Sequence, residues 1–138
     1  MEEPRNDAER VVFAFFGALG AGDFEKARPL MADDMSWTIM GTGVPGADTH
    51  VGPDAIFSMM APIRALFEPG SPVITLTRLT SDNNTVVMET HGGGRFMDGR
   101  PYDNRYVMSL DVKNGKIAAL REYMDTHYVN GLGLPGTP

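Results

Sequence analysis

Residues 104–125 read NRYVMSLDVKNGKIAALREYMD and contain two runs of strand-forming residues on either side of Asn114-Gly115. This dipeptide accepts positive φ angles, so the pattern predicts an antiparallel hairpin. Alternate positions of the returning strand are apolar except Glu122, which predicts a carboxyl group on a covered, apolar face. Such a placement is costly unless the carboxyl group has a partner or a function. Glu122 is therefore the first candidate site residue.

Three helices are predicted ahead of the long strands. Asn6 and Glu9 have the spacing of a capping box before an amphipathic helix. Asp23 can cap a second, shorter helix, which Pro29 kinks or ends, and Pro53 suits the first position of a third. Strands are predicted near residues 35–40, 73–80, 85–96, 101–113 and 116–127, with a loop at 41–52 and a loose tail at 129–138.

This order of elements predicts an α+β fold. Helices followed by a meander of strands pack on one face of a curved antiparallel or mixed sheet. The strands are apolar on both faces, as in Val86-Val87-Met88, so the outer face of the sheet also needs to be covered. We therefore expect a homodimer that forms through the outer sheet face.

The composition bounds the class of protein. A chain of 138 residues suits a single domain, 1–138, with its core at about 7–128. The net charge of −6, without any basic cluster, argues against nucleic acid or an anionic membrane as partner. The chain has no cysteine, and no segment has the pattern of a signal peptide or a membrane span. We therefore expect a cytoplasmic protein.

The first turn sets the register between the two central strands. If Asp98-Gly99 forms a two-residue turn, His91 lies opposite Tyr106 and Glu89 lies opposite Met108. A bulge or bend at the three glycines that follow His91 would shift this pairing. With no bulge, the two strands bring an imidazole and a phenol together.

The second turn decides whether a carboxylate joins them. If it is a three-residue turn, Lys113 to Gly115, Glu122 also lies opposite Tyr106. The prediction is then a row of His91, Tyr106 and Glu122 across three strands. A two-residue turn would instead pair Glu122 with Val107 and break the row.

Such a row has two interpretations. A histidine that titrates near neutrality, a phenol and a buried carboxylate supply the groups that general acid/base catalysis needs. Alternatively, the three groups satisfy one another and stabilise the core. His91, Glu89 and Glu122 lack the spacing of a metal site, so we expect neither a metal nor a cofactor.

Several short motifs lie along the chain. They are the capped first helix with Gly22-Asp23 after it, Ala32-Asp33-Asp34, Gly52-Pro53, DGRPYDNRYV at 98–107, NGKI at 114–117 and REYMD at 121–125. Together they resemble the SnoaL-like branch of the nuclear transport factor 2-like superfamily, and the likeness covers about residues 7–128. The resemblance implies a cone-shaped sheet wrapped by helices around a deep apolar pocket, and usually a dimer. It leaves the activity open, because the superfamily includes cyclases, isomerases, lyases, epoxide hydrolases and binding domains.

The family's catalytic residues carry over only in part. Glu122 matches the acidic residue of SnoaL-like cyclases and of limonene-epoxide hydrolase, with Glu in place of Asp. The arginine and second aspartate of that hydrolase fall on Glu89 and His91, and its tyrosine and asparagine fall on Trp37 and Ile39. The resemblance therefore does not imply epoxide hydrolysis by that mechanism. The acid and base of ketosteroid isomerases, which fall near Phe15 and Ile39, are also missing.

The resemblance implies a pocket with a small polar set in an apolar lining. Glu122, His91 and Tyr106 are the predicted catalytic residues. The predicted substrate-binding residues are Trp37, Glu89, Asn104, Phe15, Ile39, Met59, Met60, Met108, Leu120 and Met124.

Three functions fit these residues. The first is a cofactor-independent lyase, isomerase or cyclase that acts on a small, largely apolar or aromatic substrate, with one of Glu122 and His91 as the base and the other as the acid. The second is a binding domain for a hydrophobic metabolite. The third is an accessory subunit whose pocket is filled by its own side chains.

Overall fold

The computed structural model describes residues 3–135, which form an α+β fold. The helices are α1 (Asp7–Gly20), α2 (Phe24–Ala27), α3 (Pro53–Arg64) and α4 (Thr126–Asn130), with a 3₁₀ turn at Arg28–Leu30. The strands are β1 (Met31–Ile39), β2 (Asp48–Val51), β3 (Val73–Ser81), β4 (Thr85–Arg95), β5 (Pro101–Lys113) and β6 (Lys116–Met124). They form one curved, unclosed sheet in the order β2-β1-β6-β5-β4-β3. The predicted fold class is confirmed.

The sheet is mixed because β1 runs parallel to β6, while the other neighbours are antiparallel. β1 starts at Met31, four residues before the predicted start at 35. β2 lies within the segment predicted as a loop and pairs with β1 through Trp37 and His50. The short strand was missed because its residues carry no alternation that a four-residue window can resolve.

The helices begin where their capping residues predict. The Asn6 side chain accepts a hydrogen bond from the backbone N–H of Glu9 at 2.9 Å, and Asp23 does the same for Lys26 at 3.0 Å. Pro29 lies in the 3₁₀ turn that ends the second helix. The apolar face of α1 is buried against the concave face of the sheet, with Phe15 fully inaccessible to solvent.

The turn between β5 and β6 has two residues rather than the predicted three. Lys113 pairs with Lys116, and both Asn114 and Gly115 have positive φ, 54° and 72°. The register then shifts next to Ala118, which has no partner between the flanking pairs. The two effects together place Glu122 opposite Met108 instead of Tyr106.

The turn between β4 and β5 is longer than predicted. The N–H of Phe96 donates to the carbonyl of Arg100 at 2.9 Å, so three residues form the turn, and Gly99 has φ 89°. As a result His91 pairs with Arg105, and Thr90 takes the place opposite Tyr106. The predicted row of His91, Tyr106 and Glu122 is wrong.

The three glycines of β4 pair with β5 in continuous register, so no bulge shifts the pairing there. Their role is to leave space. A Cβ on Gly92 would lie 2.9 Å from Cε2 of Tyr106, and one on Gly94 would lie 2.7 Å from Oγ of Ser71. Glycine is therefore required where a ring and a loop approach the strand closely.

The C-terminal segment is not a loose tail as far as residue 135. β6 ends at Met124, and Asp125 caps α4 by accepting from the N–H of Tyr128 at 3.0 Å. Val129 and Leu134 are buried, and Arg100 donates to the carbonyl of Leu132 at 2.7 Å. Residues 136–138 of the predicted tail lie outside the described residues. Across residues 3–135, no helix has the length and apolar character that crossing a membrane requires.

Candidate functional site

A cavity of about 700 Å³ lies between the concave face of the sheet and helices α1 and α3. Most of its lining is apolar. Among the described lining residues, Glu122 is the only carboxylate and Arg64 the only cation. The guanidinium of Arg64 is exposed and lies 5.9 Å from the ring centroid of Phe24. The buried part of the cavity therefore contains one acidic group and no positive charge to balance it.

Glu122 lies on the cavity wall near the C-terminal end of β6. It pairs with Met108 on one side and with Ile39 on the other. Its Oε1 accepts a hydrogen bond from the indole N–H of Trp37 at 3.3 Å, and the residue is 8% exposed. Burial raises the pKa of this carboxyl group to about 7, although the Trp37 hydrogen bond acts in the opposite direction. Near neutral pH the group exists in both protonation states, as general acid/base catalysis requires.

Two tyrosines form the second polar part of the cavity wall. The hydroxyl groups of Tyr102 and Tyr106 are hydrogen-bonded to each other, and Nδ2 of Asn104 donates to the Tyr102 hydroxyl oxygen at 3.0 Å. Burial raises the pKa of both phenols. Both therefore stay protonated at neutral pH and can donate hydrogen bonds but cannot act as phenolate bases.

Thr90 supplies a further hydroxyl group on the same wall. It is 3% exposed and pairs with Tyr106 across the β4–β5 ladder. Its Oγ1 is buried and has no hydrogen-bond partner among the described residues. An unpaired buried hydroxyl group costs stability. The Thr90 hydroxyl group is therefore a candidate hydrogen-bond partner for a ligand in the cavity.

Seven of the residues predicted for the pocket line the cavity: Trp37, Ile39, Met60, Tyr106, Met108, Glu122 and Met124. Four others lie behind this lining. Phe15 and Leu120 are fully buried in the core, Met59 packs on Gly46, and Asn104 supports Tyr102.

His91 and Glu89 do not face the cavity, which corrects their predicted roles. Both lie on the outer face of β4, because the turn at Gly99 is one residue longer than predicted. Nε2 of His91 contacts Oδ1 of Asp103 at 2.6 Å, and Glu89 lies 3.7 Å from Arg78. The acid/base pair of Glu122 and His91 is therefore not formed.

The comparison with family models agrees with this architecture. The model of the SnoaL-like domain matches residues 12–120, which is most of the chain. The chain belongs to the SnoaL-like family. Its place in the nuclear transport factor 2-like superfamily, which the motifs predicted, is thereby confirmed. A search of curated proteins found no match to this SnoaL-like chain.

Solved structures share the fold of this SnoaL-like protein at low sequence identity. A nuclear transport factor 2-like protein from Burkholderia xenovorans is 24% identical, with 96% of each chain covered and a TM-score of 0.76. A proposed isomerase from Rhodopseudomonas palustris is 19% identical, covers 97% of this chain and 100% of its own, and has a TM-score of 0.77. A LEH-like epoxide hydrolase from M. tuberculosis is 20% identical, covers 93% and 89%, and has a TM-score of 0.72.

Sequence reasoning missed four polar residues of the SnoaL-like cavity, which are Arg64, Ser71, Thr90 and Tyr102. Tyr102 lies four residues before Tyr106, so the period of two places both on one face of β5 and would have found it. Thr90 could be assigned to the cavity only with the correct register of β4. No group of three or more His, Asp or Glu residues within 3–135 is arranged to hold a metal ion.

Proposed function

We propose that the chain is a general acid/base enzyme, a lyase, isomerase or cyclase, that acts on a small, largely apolar or aromatic substrate in this cavity. One observation carries the proposal. Glu122 is the single carboxylate of the described lining, and its buried position raises its pKa to about 7. Such a group can take and return a proton within one catalytic cycle at neutral pH.

The chemistry follows from the groups on the wall. The Glu122 carboxylate removes a proton from a carbon next to a carbonyl group, and the electron pair moves onto the carbonyl oxygen. Tyr106 stabilises the resulting enolate oxygen by donating a hydrogen bond. The protonated Glu122 then returns the proton to another carbon in an isomerase, or to a departing oxygen in a lyase. His91 has no part in this scheme, because it lies on the other face of the sheet.

Deuterium exchange tests this proposal without a known substrate. Incubation with 2-tetralone in D₂O should replace the protons next to the carbonyl group faster than buffer does. Glu122→Gln should lower the enzyme-dependent rate by about 100-fold or more. Glu89→Gln, the same change on the outer face, is the matched control and should keep the wild-type rate. Equal exchange rates in wild type and Glu122→Gln would count against Glu122 as the base.

A binding domain for a hydrophobic metabolite is the second candidate, and the apolar lining favours it. Stoichiometric binding of a ligand that is recovered unchanged after hours would support this function. The third function, an accessory subunit, assumed a pocket filled by the protein's own side chains. The cavity of about 700 Å³ does not support it. Independence from cofactors stays a prediction.

A further inference from the structure

The hydrogen bonds around Tyr102 have a defined direction. Oδ1 of Asn104 accepts from the backbone N–H of Arg105 at 2.9 Å. The other end of the amide, Nδ2, therefore faces Tyr102 and donates to its hydroxyl oxygen at 3.0 Å. Asn104 is 1% exposed, so this orientation is fixed inside the protein.

The two phenols share one hydrogen bond but have two protons. One proton lies in the bond between the hydroxyl groups of Tyr102 and Tyr106. Tyr102 has no further hydrogen-bond partner among the described residues, so donation by Tyr106 would leave the buried Tyr102 proton without an acceptor. The favoured direction is therefore from Tyr102 to Tyr106. The Tyr106 hydroxyl group is then free to donate a hydrogen bond to another acceptor. Tyr106 is the less buried of the two tyrosines and lines the cavity, so this acceptor can be a ligand.

Packing against Gly92 and a hydrogen bond to Tyr102 hold the Tyr106 ring in place. Gly92 lies beneath the ring, and a Cβ at that position would be 3.4 Å from the Tyr106 hydroxyl oxygen. The hydroxyl group at the end of the ring is hydrogen-bonded to Tyr102. A preorganised donor of this kind binds an acceptor without the cost of ordering the side chain.

We propose that Tyr102 and Asn104 are positioning residues that turn the Tyr106 proton into the cavity, where Tyr106 donates a hydrogen bond to the carbonyl oxygen of a largely apolar ligand without negative charge. The inference rests on the proposed function, since it places the substrate in the same cavity. An anionic ligand is disfavoured because the one cation of the described lining, Arg64, is exposed. A buried carboxylate or phosphate would meet Glu122 and no compensating charge.

An acceptor-only probe can test the direction of this hydrogen bond. The probe is 2-acetylnaphthalene labelled with ¹³C at the carbonyl carbon, and isotope-edited infrared spectroscopy reads the C=O stretch of the bound molecule. The hydrocarbon 2-isopropenylnaphthalene has the same shape without the oxygen and serves as reference for affinity. Neither measurement requires turnover, so the result is independent of whether Glu122 is a base.

In wild type the bound C=O band should lie at lower frequency than in a dry apolar solvent. Tyr106→Phe should return the band to the apolar position and reduce the ketone-to-hydrocarbon affinity ratio about three- to tenfold. Tyr102→Phe should broaden and partly reverse the shift, and Asn104→Leu should act in the same direction if Tyr102→Phe does not fold. Tyr123→Phe, on the outer face, is the matched control and should leave the band unchanged.

Three results would overturn the proposal: no shift of the band in wild type, a shift that persists in Tyr106→Phe, or wild-type spectra in both Tyr102→Phe and Asn104→Leu. Failure of the ketone to bind would overturn it as well, because the cavity is then not a carbonyl site. Loss of the band shift together with normal deuterium exchange would reject this inference alone. A normal band shift without exchange would reject the proposed catalysis alone.

Discussion

Gly92 leaves the space that the ring of Tyr106 occupies. A Cβ there would lie 2.9 Å from Cε2 of Tyr106 and 3.1 Å from Cδ1 of Ile74. We expect Gly92→Ala to displace the phenol, to weaken binding of 2-acetylnaphthalene about three- to tenfold and to cost about 1–3 kcal/mol of unfolding free energy through overpacking. Calorimetric titration and urea unfolding measure the two effects.

Gly93→Ala is the matched control for this substitution. Its Cβ would meet the ring of His91 at 2.9 Å on the outer face, away from the cavity. Ketone affinity should therefore stay at the wild-type value. If both alanine variants weaken binding equally, a general disturbance of β4 explains the loss, and Gly92 has no specific role in holding Tyr106.

Glu122 and His91 differ in how far the sequence could place them. Glu122 interrupts an apolar alternation on its own strand, so its face follows from β6 alone. Both faces of β4 carry apolar and polar residues, so the face of His91 depends on the register with β5. One additional residue in the turn at Gly99 moves every side chain of β4 to the other face.

The segment after β6 forms part of the cavity wall. Val129 and Leu134 both line the cavity, and Leu134 is 9% exposed. We expect Leu134→Ala to lower the free energy of unfolding by about 2–3 kcal/mol, because it leaves a void beside the core. Met97→Ala changes a 64% exposed side chain and should stay within about 0.5 kcal/mol of wild type in the same urea titrations.

If Leu134→Ala lowers the free energy of unfolding by less than about 0.5 kcal/mol, the segment after β6 is loosely packed, as its composition suggests. The sequence offered little against that interpretation, since Gly131 to Pro138 is rich in glycine and proline. The turn at Asn114-Gly115 was identified from its dipeptide, but the shift at Ala118 has no sequence signal. Turn dipeptides thus predict where a hairpin reverses, while bulges within its strands decide which residues meet.

For the whole molecule, we propose a homodimer formed through the outer face of the sheet. Val107 and Tyr123 on this face are 39% and 45% exposed, and ion pairs such as Arg121–Asp111 surround them. Sedimentation velocity should give the mass of a dimer at micromolar concentration, and Val107→Lys should give a monomer. Met97→Lys, at the β4–β5 turn, should remain dimeric. A monomeric wild type would reject the proposed interface.

Stability should be greatest at mildly acidic pH because two buried carboxyl groups have opposite effects. Arg5 lowers the pKa of Glu9 to about 2, so the stability it contributes is present above its ordinary value of 4.5 and is lost as the pH falls. Burial raises the pKa of Glu122 from 4.5 to about 7, so stability is lost as the pH rises between these values.

We therefore expect the free energy of unfolding to reach its maximum near pH 4.5, where the two losses meet. Urea titrations at a series of pH values measure this curve. Glu122→Gln should abolish the decrease in stability between pH 4.5 and 7, and Glu9→Gln should reduce the loss of stability below pH 4.5. A wild-type maximum at or above pH 7 would disagree with the burial of Glu122.

Catalysis in this cavity requires that the Glu122 carboxyl group exchanges a proton near neutral pH. The ¹³C chemical shift of its carboxyl carbon, followed against pH and assigned by comparison with Glu122→Gln, measures this directly. The predicted midpoint is about 7. A midpoint close to 4.5, the ordinary value for glutamate, would contradict the claim and remove the basis for Glu122 as the acid/base residue.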